Sequence, residues 1–196
     1  MRKSNKFISL ITLALPSSDG KCDTEIKRRI GIAKDAFQKM RRILTDRKLS
    51  VHIKIKILHC YVYPILTYGS ECWTISPPMK KKLEAAEMWF YRRMWRISWT
   101  QHISNSEVLR WSGTERKLMK DIRQRQSTFF GHVMRKGQME NIVLTGKIEG
   151  KRRRGRPRLT YISSLAQWIG TDEAEVIKAT RNRERWKTMI ANVRIG

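Results

Sequence analysis

Positive charge constrains this chain more than any other property of its sequence. Its 196 residues include 42 Lys and Arg against 17 Asp and Glu, which gives a formal net charge of +25. Because 40% of the residues are hydrophobic, the chain can still bury a core, and wholesale disorder is not expected. Uncompensated cations repel one another in a compact state. A polyanionic partner is therefore expected, with nucleic acid ahead of an anionic membrane surface.

The spacing of apolar residues predicts a mainly α protein. Apolar side chains recur every three to four positions through 23–44, 79–97, 118–133 and 161–190, and a strand signal is confined to the first fifteen residues. The segment 50–66 also alternates like a strand, but its length favours a helix that Ser50 caps and Pro64 kinks or ends. Tyr68 to Ser70 is predicted as a turn.

Residue types at helix ends predict several boundaries. Ser76 before two prolines, Ser104 with Glu107, and Thr114 are predicted N-caps. Gly113 and Gly137 are predicted helix stops. In 118–133 the predicted apolar stripe runs through Leu118, Ile122, Phe129 and Val133.

Aromatic and cationic residues are interleaved in 79–97. Trp89, Tyr91 and Trp95 alternate there with Arg92, Arg93 and Arg96. Such a pattern can stack on bases. Aromatics at helical spacing more often belong to a core, and that interpretation is preferred here.

The amino terminus and the cysteines limit the cellular context. Residues 1–16 combine a charged start with a short apolar stretch, which fits either a signal-like segment or a buried strand, and the strand is preferred. Three cysteines without a Cys-x-x-Cys spacing predict no disulfide framework and no zinc site. A reducing compartment fits these cysteines best, so the expected location is intracellular, nuclear or cytoplasmic. No apolar run is long enough to cross a bilayer, and no membrane partner is predicted.

The sequence predicts no catalytic residue, no metal site and no cofactor. Polymerases hold two divalent ions with paired carboxylates, and the chain contains no Asp-Asp pair. Its adjacent acids, Asp172 and Glu173, follow Gly170-Thr171, where a helix is expected to begin, so a capping role is predicted. Hydrolase signatures such as Gly-x-Ser-x-Gly and His-Glu-x-x-His are missing as well.

A dense basic run is the first predicted nucleic-acid contact. Six cations occupy eight positions between 151 and 158: Lys151, Arg152, Arg153, Arg154, Arg156 and Arg158. Six phosphate contacts on duplex DNA would give a log-log salt slope of about −5. The Arg-Gly-Arg-Pro at 154–157 resembles an AT-hook core, which lies in the A·T minor groove. The alternative is a solvated basic loop or a localisation patch.

Several phrases of the chain, in this order, resemble one protein family. They are Asp19-Gly20-Lys21-Cys22-Asp23-Thr24-Glu25-Ile26, Lys34-Asp35-Ala36-Phe37, Tyr63-Pro64-Ile65-Leu66-Thr67-Tyr68-Gly69-Ser70-Glu71-Cys72-Trp73, Arg92-Arg93-Met94, Gly131-His132-Val133-Met134-Arg135 and Gly155-Arg156-Pro157-Arg158. Together they are similar to the carboxy-terminal part of endonuclease-reverse transcriptases from non-LTR (LINE-type) retrotransposons. The likeness covers nearly the whole chain.

The resemblance implies an organisation. Residues 1–20 would be a remnant of the polymerase palm, 21–75 a thumb-like helical region and 76–137 a helical carboxy-terminal region. A basic irregular segment, 138–160, and terminal helices, 161–196, would follow. The family's nuclease domain, fingers and catalytic palm would all have to precede Met1.

The resemblance also implies a role for the first basic helix. Thumb helices grip the sugar-phosphate backbone of template and primer, and the candidates are Lys27, Arg28, Lys34, Lys39, Arg41 and Arg42. Only Asp35 interrupts the cations between Lys27 and Arg42, whereas a solvated helix face usually intersperses acids.

Three hypotheses follow. The first is a truncated reverse transcriptase fragment that binds RNA or DNA without a catalytic centre, with association with a full-length reverse transcriptase and the oligomeric state left open. The second is a small AT-hook-like DNA-binding regulatory protein. The third is an inert transposon relic.

Overall fold

The part of the chain that the structure describes is mainly helical. The computed structural model describes residues 22–136, 141–142 and 160–191, and no strand occurs among them. The predicted mainly α fold is therefore confirmed. The strand expected near the amino terminus lies outside the described residues.

The described chain divides into two compact units. The first comprises residues up to 69 together with 75–120, and the second comprises 70–74 together with residues from 121 onward. The boundaries predicted at 20, 75, 137 and 160 refer to regions of a longer polymerase and stay predictions.

The helices of the first unit are α1 (Asp23–Lys39), α2 (Arg41–Leu44), α3 (Val51–Ile57), α4 (Tyr63–Leu66), α5 (Pro77–Met94) and α6 (Asn105–Ser112), with a π-helical turn at Leu58–Val62 and a 3-10 turn at Trp99–Gln101. Helix α7 (Leu118–Lys136) begins in this unit and runs mostly in the second. The second unit also contains a 3-10 turn at Ser70–Cys72 and helices α8 (Tyr161–Ile169), α9 (Glu173–Arg181) and α10 (Arg183–Ala191).

The core of the first unit is built by apolar stripes on α1 and α5. Ile26 and Phe37 of α1 are buried, and Phe37 contacts Phe90 of α5 with ring centroids 5.6 Å apart. Leu83 is also fully buried, as its spacing predicts. Each such side chain contributes about 1.5–3 kcal/mol on burial, so these stripes fix the pairing of α1 with α5.

The segment from Val51 to Leu66 is helical, as its length predicted. The Ser50 hydroxyl accepts a hydrogen bond from the Ile53 amide at 3.4 Å, which confirms the predicted cap. Before Pro64 the helix widens into the π-helical turn, and it ends at Leu66. Proline has no amide hydrogen and its ring crowds the preceding turn, so the local change of helix type is its expected effect.

One predicted cap is wrong and another lacks its capping hydrogen bond, and in both places the side chains make long-range contacts. Ser76 is the N-cap residue of α5, and prolines occupy the first two helical positions as predicted, but its hydroxyl makes no capping hydrogen bond and instead donates to the Asp23 carboxylate at 3.5 Å. Thr114 does not cap α7, which begins at Leu118. The Glu87 carboxylate of α5 accepts the amides of Lys117 at 2.9 Å and Leu118 at 3.0 Å instead.

The second unit has its own apolar cluster. Phe130, Leu165, Val176 and Trp186 are buried together where α7, α8, α9 and α10 meet. The predicted stripe named Phe129, but Phe130 is the buried ring and Phe129 is only partly covered.

The segment 70–74 belongs to this unit because polar side chains bind its carbonyls. Gln126 of α7 donates to the carbonyls of Ser70 at 2.9 Å and Trp73 at 2.8 Å. The Tyr161 hydroxyl donates to the carbonyl of Glu71 at 2.8 Å. These side-chain donors bind backbone carbonyls of the segment, and the Ser70 carbonyl also accepts the Trp73 amide at 3.2 Å.

The predicted cap of the second unit is confirmed, and a glycine ends the helix before it. Asp172 accepts the Ala174 amide at 3.1 Å as the N-cap of α9. Gly170 ends α8 in the left-handed conformation with φ 78°. The predicted stop at Gly137 lies outside the described residues.

Candidate nucleic-acid interface

A cationic cleft of about 1310 Å³ lies within the first unit, where the ends of α1, α2 and α5 meet the turn after α5. We call it the arginine cleft. Its lining includes Arg41, Arg42, Arg92, Arg93 and Arg96. Asp46 is the acidic residue of the lining. The cleft therefore concentrates positive charge that has little acidic compensation.

One of these arginines holds the wall of the cleft together. The Arg92 guanidinium donates to the Ile103 carbonyl at 2.6 Å and to the Asn105 side chain at 2.9 and 3.2 Å. These bonds attach the loop after α5 to the helix itself. Arg92 therefore acts as a structural clamp, and the other four arginines of the cleft are exposed.

Backbone strain marks the same loop. Among the described residues, the non-glycine residues with positive φ are Arg96 at 56° and His102 at 46°, and both line the cleft. Helix α5 ends in a Schellman arrangement in which the Ile97 amide reaches the Arg92 carbonyl at 2.9 Å. Arg96 occupies the left-handed position of this motif. Glycine is the usual residue there, so an arginine at this position suggests a functional reason.

Two tryptophans line the cleft in different ways. Trp89 is half-buried, packs edge-on against Phe37 at 5.5 Å, and carries the Lys34 ammonium at 5.1 Å and the Arg93 guanidinium at 5.4 Å over its ring. Trp99 is 85% exposed. Cation–π contacts orient the cations near Trp89, whereas Trp99 presents its indole to solvent.

The predicted core role for the aromatics of α5 holds for one of the three. Tyr91 is fully buried. Trp95 is partly buried and its indole nitrogen donates to the Ser112 hydroxyl at 2.8 Å. Trp89 faces the core on one side and the cleft on the other.

The six residues predicted on the first basic helix do not form one surface. Arg41 and Arg42 line the cleft, and Lys34 lies over Trp89, which lines it too. Lys27 is exposed outside the lining. Successive residues turn by about 100° on a helix, so the remaining two cations of the set face elsewhere.

Those two cations have acidic partners on the same helix. Arg28 lies 2.7 Å from Glu25, and this hydrogen bond is the main cause of the lowered pKa of the Glu25 carboxyl. Lys39 lies 3.0 Å from Asp35. Exposed pairs of this kind add little to stability, because solvent and salt screen the charges.

The second predicted set lies outside the described residues. It comprises Lys151, Arg152, Arg153, Arg154, Arg156 and Arg158. Its role in binding stays a prediction.

The sequence did not indicate that the segment of Arg41 and Arg42 shares a cleft with the stretch 89–99. Arg93, Arg96 and Trp99 were not predicted as site residues. The signal lies in the stretch 89–99, which combines three tryptophans with three arginines. Only the packing of α1 against α5 places this stretch beside Arg41 and Arg42.

Within the described ranges, no group of three or more His, Cys, Asp or Glu side chains is arranged to hold a metal ion. No helix among the described residues combines the length and apolarity required to cross a membrane.

Comparison with known proteins finds a relative of this chain in Caenorhabditis elegans. Over 181 residues the chain is 28% identical to a Caenorhabditis elegans protein named as transposon-derived. The chain is similar to a transposon-derived protein. The alignment takes in 85% of this chain and 63% of the relative, so the chain spans less than two thirds of that protein's length. No family model and no solved structure matches the chain. The similarity points to a transposon origin.

Proposed function

We propose that this protein is a retrotransposon-derived binder of RNA or DNA that holds the sugar-phosphate backbone in the arginine cleft. In this proposal it corresponds to the thumb and carboxy-terminal region of a LINE-type reverse transcriptase and has no polymerase or endonuclease centre of its own. The arginine cleft carries the proposal. The similarity to a transposon-derived protein and the resemblance of the sequence phrases support the origin.

Arginine is suited to this task. Its planar guanidinium donates paired hydrogen bonds to phosphate oxygens and keeps its charge at any physiological pH. Arg41, Arg42, Arg93 and Arg96 are exposed and line one cleft from two chain segments. If each replaces a counterion, the four together contribute about 3 to 4 to the log-log salt slope of binding.

The test compares two variants of the full chain with equal charge loss. The cleft variant replaces Arg41, Arg42, Arg93 and Arg96 with Gln. The control variant replaces four exposed lysines outside the cleft lining with Gln as well: Lys81, Lys82, Lys117 and Lys120. Affinity for a labelled oligonucleotide is measured by fluorescence anisotropy at several salt concentrations from about 50 to about 200 mM, a range over which the salt dependence of binding is large enough to measure.

The proposal predicts a larger effect at the cleft. The cleft variant should bind at least about tenfold more weakly, and the magnitude of its log-log salt slope should fall by about 3. In the control variant, both the affinity and the salt slope should change much less. Equal losses in the two variants would show that only net charge matters. Absence of binding by the unaltered protein at low salt would leave the inert-relic hypothesis. Magnesium-dependent DNA synthesis on an RNA template by the purified chain would contradict the non-catalytic part of the proposal.

A further inference from the structure

We infer that the arginine cleft binds a single-stranded polynucleotide, with one unpaired base stacked on the indole of Trp99 and its phosphates held by the cleft arginines. This inference rests on the proposed function and specifies the form of its ligand. It is carried by the placement of an exposed indole in a cleft lined by cations.

The indole of Trp99 is displayed by a locally fixed turn. The Ser98 hydroxyl accepts the Thr100 amide at 3.4 Å and the Thr100 hydroxyl donates to it at 2.9 Å. The Gln101 side chain accepts the Ser98 amide at 3.3 Å, which completes a capping box. The turn is thus held by its own hydrogen bonds, while 85% of the Trp99 surface faces solvent. A rigid, exposed aromatic loses little conformational entropy when a ligand covers it.

The two cleft tryptophans differ in what they can accept. Trp89 is half-buried, and Lys34 and Arg93 already lie over its ring. Trp99 lies beyond the end of α5, three residues after the strained Arg96. Trp89 therefore positions cations in the cleft, and Trp99 is the indole whose surface is available for stacking.

A free indole in a cationic cleft favours an unpaired strand over a duplex. In a duplex, each base has its faces covered by the neighbouring bases, and exposing one face requires unstacking at a cost. An unpaired strand offers base faces directly, and every base has a surface that can stack on an aromatic ring. The phosphates on either side of a stacked base lie within one or two nucleotides of it. They can then reach Arg96 on the same loop and Arg41 or Arg42 on the opposite segment.

The experiment uses the full chain and three labelled probes, all about twelve nucleotides or base pairs long, to cover a site of about 4–16 nucleotides. The probes are oligo-dT, oligo-rU and a DNA duplex. Trp99→Ala removes the stacking surface, and Trp99→Tyr retains one. Tyr61→Ala is the control, because Tyr61 is 61% exposed and does not line the cleft.

Trp99→Ala should weaken single-strand binding by about 5- to 150-fold and change duplex binding by less than about twofold. Its salt slope should stay unchanged, because a stacked base releases no counterion. Trp99→Tyr should recover most of the affinity, and Tyr61→Ala should bind like the unaltered protein. A tighter complex with oligo-rU or with oligo-dT identifies RNA or DNA as the strand, and equal binding shows that the 2′-hydroxyl is not read.

Two results overturn the inference. One is an equal loss of single-strand and duplex binding in Trp99→Ala, which would assign Trp99 to a contact that does not depend on unpaired bases. The other is no loss with any of the three probes, which would show that Trp99 does not contribute to binding. In both cases arginine-dependent binding would persist and the proposed function would stand. Failure of the unaltered protein to bind any probe at low salt would overturn the proposed function itself.

Discussion

Replacing Arg96 with Gly should raise stability and lower nucleic-acid affinity in the same molecule. Arg96 has φ 56° at the left-handed position that ends α5, and its side chain lines the arginine cleft. A non-glycine residue in this conformation costs roughly 1–2 kcal/mol, and glycine has no such penalty. Glycine loses roughly 0.5–1 kcal/mol more conformational entropy on folding.

The net gain for Arg96→Gly is therefore about 0.5–1 kcal/mol in the free energy of unfolding. For a chain of this size that corresponds to about 1–4 °C in Tm. Losing one phosphate contact should reduce the log-log salt slope by about 0.7 on a single strand or 0.9 on a duplex. At about 0.1 M salt, these slope changes correspond to roughly five- to eightfold weaker binding.

The assay pairs thermal unfolding, followed by circular dichroism, with anisotropy titrations at several salt concentrations. Arg96→Ala is the matched variant, because it removes the charge but keeps the strained backbone. It should bind as weakly as Arg96→Gly and be less stable than it by about 0.5–1 kcal/mol. The reasoning about the strained arginine would be refuted if Arg96→Gly were less stable than the unaltered protein, or if its affinity and salt slope were unchanged.

Three further predictions concern packing, pH and the basic run. Gly131→Ala should destabilise the fold by about 1–3 kcal/mol in urea unfolding, because the added Cβ would collide with the Trp186 indole. Gly31→Ala is the matched helical variant, because its Cβ meets nothing within 4 Å, and its free energy of unfolding should rise by about 0.5–1 kcal/mol. Burial raises the pKa of the Glu87 carboxyl, so its contribution to stability is largest below the unfolded pKa and is lost as pH rises through the folded pKa. Relative to the unaltered protein, Glu87→Gln should therefore gain stability between pH 4.5 and neutral pH, the lower limit being the ordinary pKa of the group; a constant difference would contradict this. Arg156→Ala should abolish any preference for A·T-rich over G·C-rich duplex in competition binding, and an unchanged preference would exclude the hook.

Many helix boundaries could be predicted because their signals are local. Ser50, Ser104 and Asp172 each accept a backbone amide two or three residues later, and the Ser104 hydroxyl and Glu107 carboxylate form the predicted capping box. Gly113 ends α6 in the left-handed conformation, as predicted. These interactions involve residues within one turn of helix, so the sequence alone contains both partners.

The wrong predictions share a different cause. The cap of α7 is Glu87, about thirty positions before the amides it accepts. In the sequence, Gly131 is notable only within a phrase that resembles a family, whereas the structure shows that Gly131 makes room for Trp186, whose indole donates to the Ser127 carbonyl at 3.0 Å. In each case the partner is distant in sequence, and no periodicity identifies it.

The sequence by itself determined the helical class, the large cationic excess and the local helix ends, because these depend on composition and on neighbours along one helix. Only the tertiary structure decided which cations act together. Packing of α1 against α5 through Phe37 and Phe90 brings Arg41 and Arg42 into one cleft with Arg93 and Arg96, and it leaves Arg28 and Lys39 paired with acids elsewhere. Side chains about fifty residues apart meet through burial of apolar surface, and that grouping is not encoded in the spacing of the charges.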